Sequence, residues 1–256
     1  MDVLLIGFFL SPTELGYYTV AVTLSRFFWL IPSSIQTITY PITASYWIEE
    51  KYRLLNNVLD KSIKYSTIML LPIGLFIGLL SKDLIILVFK ETFSPAVITL
   101  QILLLGTIIR GSVSTPVGAT FSGIGRPDMG FKITLLYALI NIGLDIILIP
   151  RIGINGAAFG ASTSFIIIAV ISLYLMNRMI NFKFDFIWYG KIVMVTLFSV
   201  MIFVLLLPYG YSYVLAIIII FIFIFILYKY FLEKSDKKYF KSLIESTINR
   251  IVNRYF

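Results

Sequence analysis

The chain has 256 residues, of which 59% are hydrophobic and 13% charged, with a mean hydropathy of +0.95 and a formal net charge of +8. Soluble domains carry about 25% charged residues, so this composition excludes a water-soluble globular protein and predicts an integral membrane protein. The lack of Cys and His removes disulfides, thiolate ligands, the usual catalytic base and the commonest zinc ligand, so neither an enzyme nor a metal centre is expected.

Apolar runs long enough to cross a ~30 Å hydrocarbon layer predict an all-α, polytopic bundle of about eight transmembrane helices over residues 1–232. The first segment, 2–10, ends at Ser11-Pro12 and would cover less than half of a bilayer. The second, 16–47, contains Arg26, Pro32 and Pro41 and is expected to be long and bent, because intramembrane prolines mark kinks. Lys51, Arg53, Lys61 and Lys64 then form a basic loop before a third segment, 65–80.

Residues 81–95 are apolar in part but too short to span, which predicts an interfacial stretch. The fourth segment covers 96–119, with Arg110 close enough to one face to snorkel. Ser122-Gly-Ile-Gly-Arg-Pro-Asp128 reads as a turn; it resembles a phosphate-binding loop only superficially, since it has no Walker lysine. Segments five and six, 131–149 and 154–176, meet through Pro150-Arg-Ile-Gly and form a transmembrane hairpin.

That hairpin carries the most informative side chains. Asn141 and Asp145 stand at i, i+4 and share a helix face. A carboxyl in a membrane segment marks a functional site by default, although Asp145 is close enough to the outer end to snorkel or to cap against Arg151. Gly156, Gly160 and Ser164 stand at i, i+4, i+8 beside Ala157 and Ala161, a stripe without bulk that lets helix backbones approach in lipid.

Segments seven and eight, 192–207 and 213–232, are joined by Pro208-Tyr-Gly-Tyr and are nearly pure Ile, Leu, Phe and Val, as for peripheral, lipid-facing helices. Residues 233–256 form a basic tail, with Phe240, Ile244, Ile248, Ile251 and Tyr255 at helical spacing. Such a tail either lies on an anionic leaflet as an amphipathic helix or is simply solvated. Assigned to alternating sides, one set of loops plus the tail collects seventeen of the 21 basic residues, against Lys82, Lys90 and Arg151 on the other. The split predicts a cytoplasmic C-terminus and explains the positive charge by orientation, leaving no case for a nucleic-acid partner.

Two charges fall at depth. Counted from the expected helix ends, Asp2 and Arg26 each lie ~12–15 Å inside on adjacent antiparallel segments, close enough to form a pair. An unpaired charge there costs at least about 2.5 kcal/mol. This placement expects roughly ten further residues ahead of Met1 to complete a span; the alternative is a short surface helix with Asp2 at the interface.

The stretch Asp2-Val-Leu-Leu-Ile-Gly-Phe-Phe-Leu-Ser, then Glu14-Leu-Gly-Tyr-Tyr-Thr-Val-Ala21, Leu-Ile-Pro32 and Tyr40-Pro41, resembles the signature opening the C-terminal half of the polysaccharide, or O-antigen, flippases. These belong to the multidrug/oligosaccharidyl-lipid/polysaccharide superfamily. Ser122-Gly-Ile-Gly-Arg126 and Gly153-Ile-Asn-Gly156-Ala-Ala-Phe-Gly-Ala-Ser are similar to two later stretches of that family.

The resemblance implies the C-terminal part of a transporter of twelve to fourteen helices, with an N-terminal half as the missing partner. It implies alternating-access movement of an anionic lipid-linked oligosaccharide across the cytoplasmic membrane. Arg26 is carried over as a cavity cation, and Asp2 as its partner or as a carboxylate coupling transport to H+ or Na+. Asn141, Asp145 and Arg110 are further substrate-binding candidates. The rival readings are a multidrug exporter of the same superfamily, which would prefer acidic cavity groups, a membrane polymerase or glycosyltransferase, and a non-transporting fragment or subunit.

Overall fold

The computed structural model describes residues 2–206 and 212–232, and the described residues hold helices and short connections without a strand. It divides into two compact units, Met1–Asp185 and Phe186–Phe256. Among the described residues, six helices are long and apolar enough to cross a membrane.

The first unit is built from helices α1 to α9. α1 (Asp2–Phe9) and α2 (Pro12–Arg26) meet at Ser11. There the serine hydroxyl accepts from the Glu14 backbone N–H at 3.3 Å while the Glu14 carboxylate accepts from the Ser11 N–H at 3.1 Å. This reciprocal cap satisfies two N–H groups that the helix start would leave bare, and Pro12 fits the first helical position because it has no N–H to satisfy. Ser11→Ala is expected to cost about 1 kcal/mol, read as a lowered thermal midpoint of the detergent-solubilised protein; an unchanged midpoint would show that the cap contributes nothing.

The long bent helix expected over 16–47 is two helices, α2 and α3 (Leu30–Ile48), joined through a 3-10 stretch, Phe27–Trp29. The bend has a local cause. Pro32 supplies no N–H for the carbonyl four residues back and its ring crowds that carbonyl, so the backbone tightens ahead of it. Pro41 is carried inside α3.

α4 (Tyr52–Leu79) begins thirteen residues before the apolar run that predicted it. The added turns are amphipathic, burying Leu55, Leu59, Ser62 and Ile63. Their polar side chains find partners far along the chain: Asn56 donates to the Ile180 carbonyl at 3.1 Å, and Lys64 bridges Asp60 and Asp185 at 2.9 and 3.3 Å. The stretch expected at the interface contains the short helix α5 (Ser81–Phe89), which buries Ile85 completely.

α6 (Ala96–Ile109) and α7 (Thr115–Gly123) are joined through one π turn, Arg110–Ser114. Pro116 cannot bond the carbonyl four residues before it, and the ladder widens by one residue. The Thr115 N–H bonds the Arg110 carbonyl, which the Thr115 hydroxyl also reaches at 3.2 Å.

α8 (Pro127–Ile152) and α9 (Ile154–Ile180) form the expected hairpin, but the turn is tighter than Pro150-Arg-Ile-Gly suggested. Pro150 is tolerated inside α8, and the chain reverses at Gly153, whose combination of φ 62° and ψ -143° suits glycine. α9 lies in the middle of the unit, against α8 on one side and α6 on another, where the Ser162 hydroxyl bonds the Ile102 carbonyl at 2.8 Å. The core joins Ile6, Tyr18, Ala21, Leu70, Leu100, Ile149 and Ala157.

The second unit holds α10 (Phe186–Leu206) and α11 (Ser212–Ile226), the latter continued by a π turn, Leu227–Phe231. α10 starts six residues earlier than expected, so Lys191 lies in a helix and not in a loop. Trp188 packs edge-on against Phe231 at 5.5 Å. The Pro208-Tyr-Gly-Tyr connection and the basic tail over 233–256 lie outside the described residues.

Candidate functional site

Depth along the helices decides which polar groups meet. α2 starts at Pro12 and not near Gly16, so Arg26 lies ~21 Å along it, whereas Asp2 lies only ~10 Å from the end of α1. The residue level with Asp2 is Tyr18, ~9 Å along α2. The Tyr18 hydroxyl accordingly donates to an Asp2 carboxylate oxygen. The expected pair of Asp2 with Arg26 does not form: Arg26 ends α2, exposed, and among the described residues no carboxylate bonds it.

Asp145 is fully buried and does not snorkel. One carboxylate oxygen accepts from the Asn141 amide at 3.3 Å and lies against the Cα side of Gly160 on α9; the other has no hydrogen-bond partner among the described residues. Arg151 remains exposed and makes no ion pair with it among the described residues. Buried carboxylates are ordinarily paired, since leaving water costs them several kcal/mol. One oxygen of Asp145 carries that cost without a partner among the described residues. Asp2 lies within electrostatic reach of Asp145, so α1, α2 and α8 bring Asp2, Tyr18, Asn141 and Asp145 to one polar junction.

The stripe continues one turn down α8 to Tyr137, since Tyr137, Asn141 and Asp145 stand at i, i+4, i+8. Tyr137 stacks on Phe165 of α9, ring centroids 4.7 Å apart and 6° from parallel. Arg110 meets the same rings. Its guanidinium carbon lies 4.7 Å from the Phe165 centroid, 5.9 Å from that of Tyr137 and 4.1 Å from that of Trp29. A small recess lined by Trp29, Pro32, Thr107 and Gly111 opens beside it. Arg110 is half-buried, with its guanidinium against aromatic rings.

The small-residue stripe of α9 serves packing. Gly156 lies against the Leu148–Ile149 backbone, Gly160 against Asp145, and the Ser164 hydroxyl bonds the Gly160 carbonyl at 2.7 Å. Reasoning from the chain alone misses Tyr18, Trp29, Tyr137 and Phe165. The spacing of Tyr137 to Asn141 and Asp145 is the one signal that could have found it; the others depend on where separate helices start. Among the described residues no group of three or more acidic side chains could hold a metal ion.

Residues 1–98 match the model of a family described as polysaccharide biosynthesis protein. The chain is 26% identical over 186 residues to the probable low-salt glycan biosynthesis flippase Agl15 of Haloferax volcanii, covering 73% of this chain and 39% of that protein. It is 24% identical over 183 residues to the probable flippase AglR of the same organism, covering 71% and 38%. In fold it is similar to the lipid II flippase MurJ in an inward closed conformation, with a TM-score of 0.69, 20% identity, and coverage of 89% of this chain and 50% of that one. The chain thus spans about two fifths of the length of these curated relatives. The matched stretch, the two probable flippases and the shared fold agree, and together they show a chain similar to a polysaccharide biosynthesis family and to flippases in sequence, with the fold of a lipid II flippase.

Proposed function

We propose that this chain forms the C-terminal part of a transporter that moves a lipid-linked saccharide from the cytoplasmic to the outer leaflet by alternating access. One observation carries the choice of cargo. Asp2 is bonded by Tyr18, and Asp145 is closed in by Asn141 and Gly160 with one oxygen left for nothing larger than a proton or small cation, while the guanidiniums of Arg26 and Arg110 have no acidic partner among the described residues. Cations left open in a membrane protein favour an anionic cargo over the organic cations of a drug exporter.

Arg26 is the cargo-facing cation in this reading, exposed at the break between α2 and α3 where an N-terminal half would complete a cavity. Asp2, Asn141 and Asp145 are the groups through which H+ or Na+ would couple to transport, because the partnerless Asp145 oxygen is the place where a proton or small cation removes a desolvation cost. The basic loops favour a cytoplasmic C-terminus.

The test is complementation of a flippase-deficient cell by the chain joined to an N-terminal half, with insertion checked for each variant. Arg26→Ala is expected to lower surface glycan at least about tenfold, the effect of removing one charge-assisted hydrogen bond. Unchanged glycan would remove Arg26 from the pathway, and failure of the unmutated protein to complement would overturn the transport reading.

A further inference from the structure

Three helices of the first unit lose their regularity at one level. α2 gives way to α3 through Phe27–Trp29, just ahead of Pro32; α4 carries Pro72 inside it; α6 gives way to α7 through the π turn Arg110–Ser114, just ahead of Pro116. The three places touch. A Cβ on Gly111 would stand 2.9 Å from the Pro32 ring and 2.8 Å from Leu70, two residues before Pro72. Arg110, which opens the π turn, has its guanidinium carbon 4.1 Å from the ring centroid of Trp29, which closes the 3-10 stretch.

On the two sides of this level the same helices hold different partners. α6 is fixed to α9: Gly106 abuts the Ser162 backbone, and the Ser162 hydroxyl donates to the Ile102 carbonyl at 2.8 Å. α2 packs on α6 as well. α7 is fixed instead to α3, where Gly123 abuts Thr43 and the Tyr40 carbonyl. The early turns of α4 join α3 through the buried Thr39 and Ser62 hydroxyls, 2.8 Å apart. Contacts this close are stiff, so each group of helices holds together as a body.

The π turn also has a second arrangement within reach. The Thr115 N–H bonds the Arg110 carbonyl, and the Ser114 hydroxyl is buried with no partner among the described residues. In an α pattern that carbonyl would accept from Ser114, and α7 would turn by ~100° and move ~1.5 Å against α6. Pro116 has no N–H to complete such a pattern, so each arrangement leaves one polar group wanting and neither is strongly preferred.

We propose that this level is a hinge, about which α3, α7 and the early turns of α4 tilt as one body against α2, α6 and α9. The motion lies inside the first unit and adds to any movement of the unit as a whole. A tilt of about 15° would carry Ile48, ~24 Å along α3 from Pro32, through ~6 Å.

The chain contains no cysteine, so spin labels can be placed in pairs by substitution alone. Ile48→Cys with Val170→Cys, both at exposed positions, puts one label on each body; Leu105→Cys with Val170→Cys, on α6 and α9, puts both on one. Double electron–electron resonance on the full chain in phosphatidylcholine vesicles is expected to give the cross-body pair a distance distribution wider than the control by ~5 Å or more. In Pro32→Ala with Pro116→Ala, which restores both missing N–H groups, the cross-body distribution should narrow to the width of the control, and an unchanged control pair shows that the fold is intact. Equal widths before the alanines are introduced, or a spread that survives both, would overturn the hinge. The measurement needs no cargo, coupling ion or N-terminal half, so it stands apart from the complementation result: glycan export can fail while the joint moves, and the reverse.

Discussion

Gly156→Ala is expected to lower the stability of the first unit by about 2–3 kcal/mol, a large effect for one methyl group. A Cβ at this position would run into the Leu148 carbonyl and stand 2.9 Å from the Ile149 nitrogen. Both obstacles are backbone, fixed in the last turns of α8, so no rotamer change can relieve the clash. The hairpin must open instead, and with it the close approach of α8 to α9. In lipid that approach has no hydrophobic drive behind it and depends on close van der Waals packing.

The control lies on the same hairpin. Gly130 and Gly143 of α8 have nothing within 4 Å of an added Cβ. Alanine there should be neutral or stabilise by up to ~1 kcal/mol through helix propensity. Thermal midpoints of the purified variants in detergent would check this, with Gly156→Ala well below the parent and Gly143→Ala at or above it. Equal midpoints would show that α8 and α9 do not approach as closely as Gly156 implies.

Asp145→Asn is expected to separate stability from transport. The side chain keeps its shape against Gly160 and can keep its bond with Asn141, so packing is preserved. The change removes a buried carboxylate that has one oxygen without a partner, and burying such a group is costly. The thermal midpoint should therefore hold or rise. Transport, if Asp145 receives the coupling ion, should fall roughly tenfold or more, because an amide can neither take up a proton at cellular pH nor neutralise a cation. Surface glycan in the complemented cell reads the second effect. A variant that transports normally would return Asp145 to a packing role, and one that unfolds would show that its charge is satisfied by a group outside the described residues.

A membrane imposes strong local rules, and those parts of the chain that obey them are legible in the sequence. Apolar runs of about twenty residues, prolines within them and the Gly153 reversal each act on their own neighbours. The helical class, the long apolar spans and the α8–α9 hairpin therefore follow from the order of residues. The i, i+4 relation of Asn141 and Asp145 is equally local, a property of one helix.

Helix starts and cross-helix partners are decided elsewhere. The first turns of α4 look like a basic loop because the groups that satisfy Asn56 and Lys64 lie at Ile180 and Asp185. Arg26 looks like the mate of Asp2 until the start of α2 at Pro12 puts Tyr18 at that depth. A four-residue shift moves a side chain by ~6 Å along a helix, more than the reach of a hydrogen bond. The box around Arg110 draws on four segments between Trp29 and Phe165, and no spacing within any one of them announces it. The order of residues thus determined that this protein is a bundle of apolar helices long enough to cross a membrane, because hydrophobic length and turn chemistry are short-range. Which polar groups face one another was decided by the tertiary structure, because that depends on the relative depth of helices whose starts lie four to thirteen residues from where the apolar runs place them.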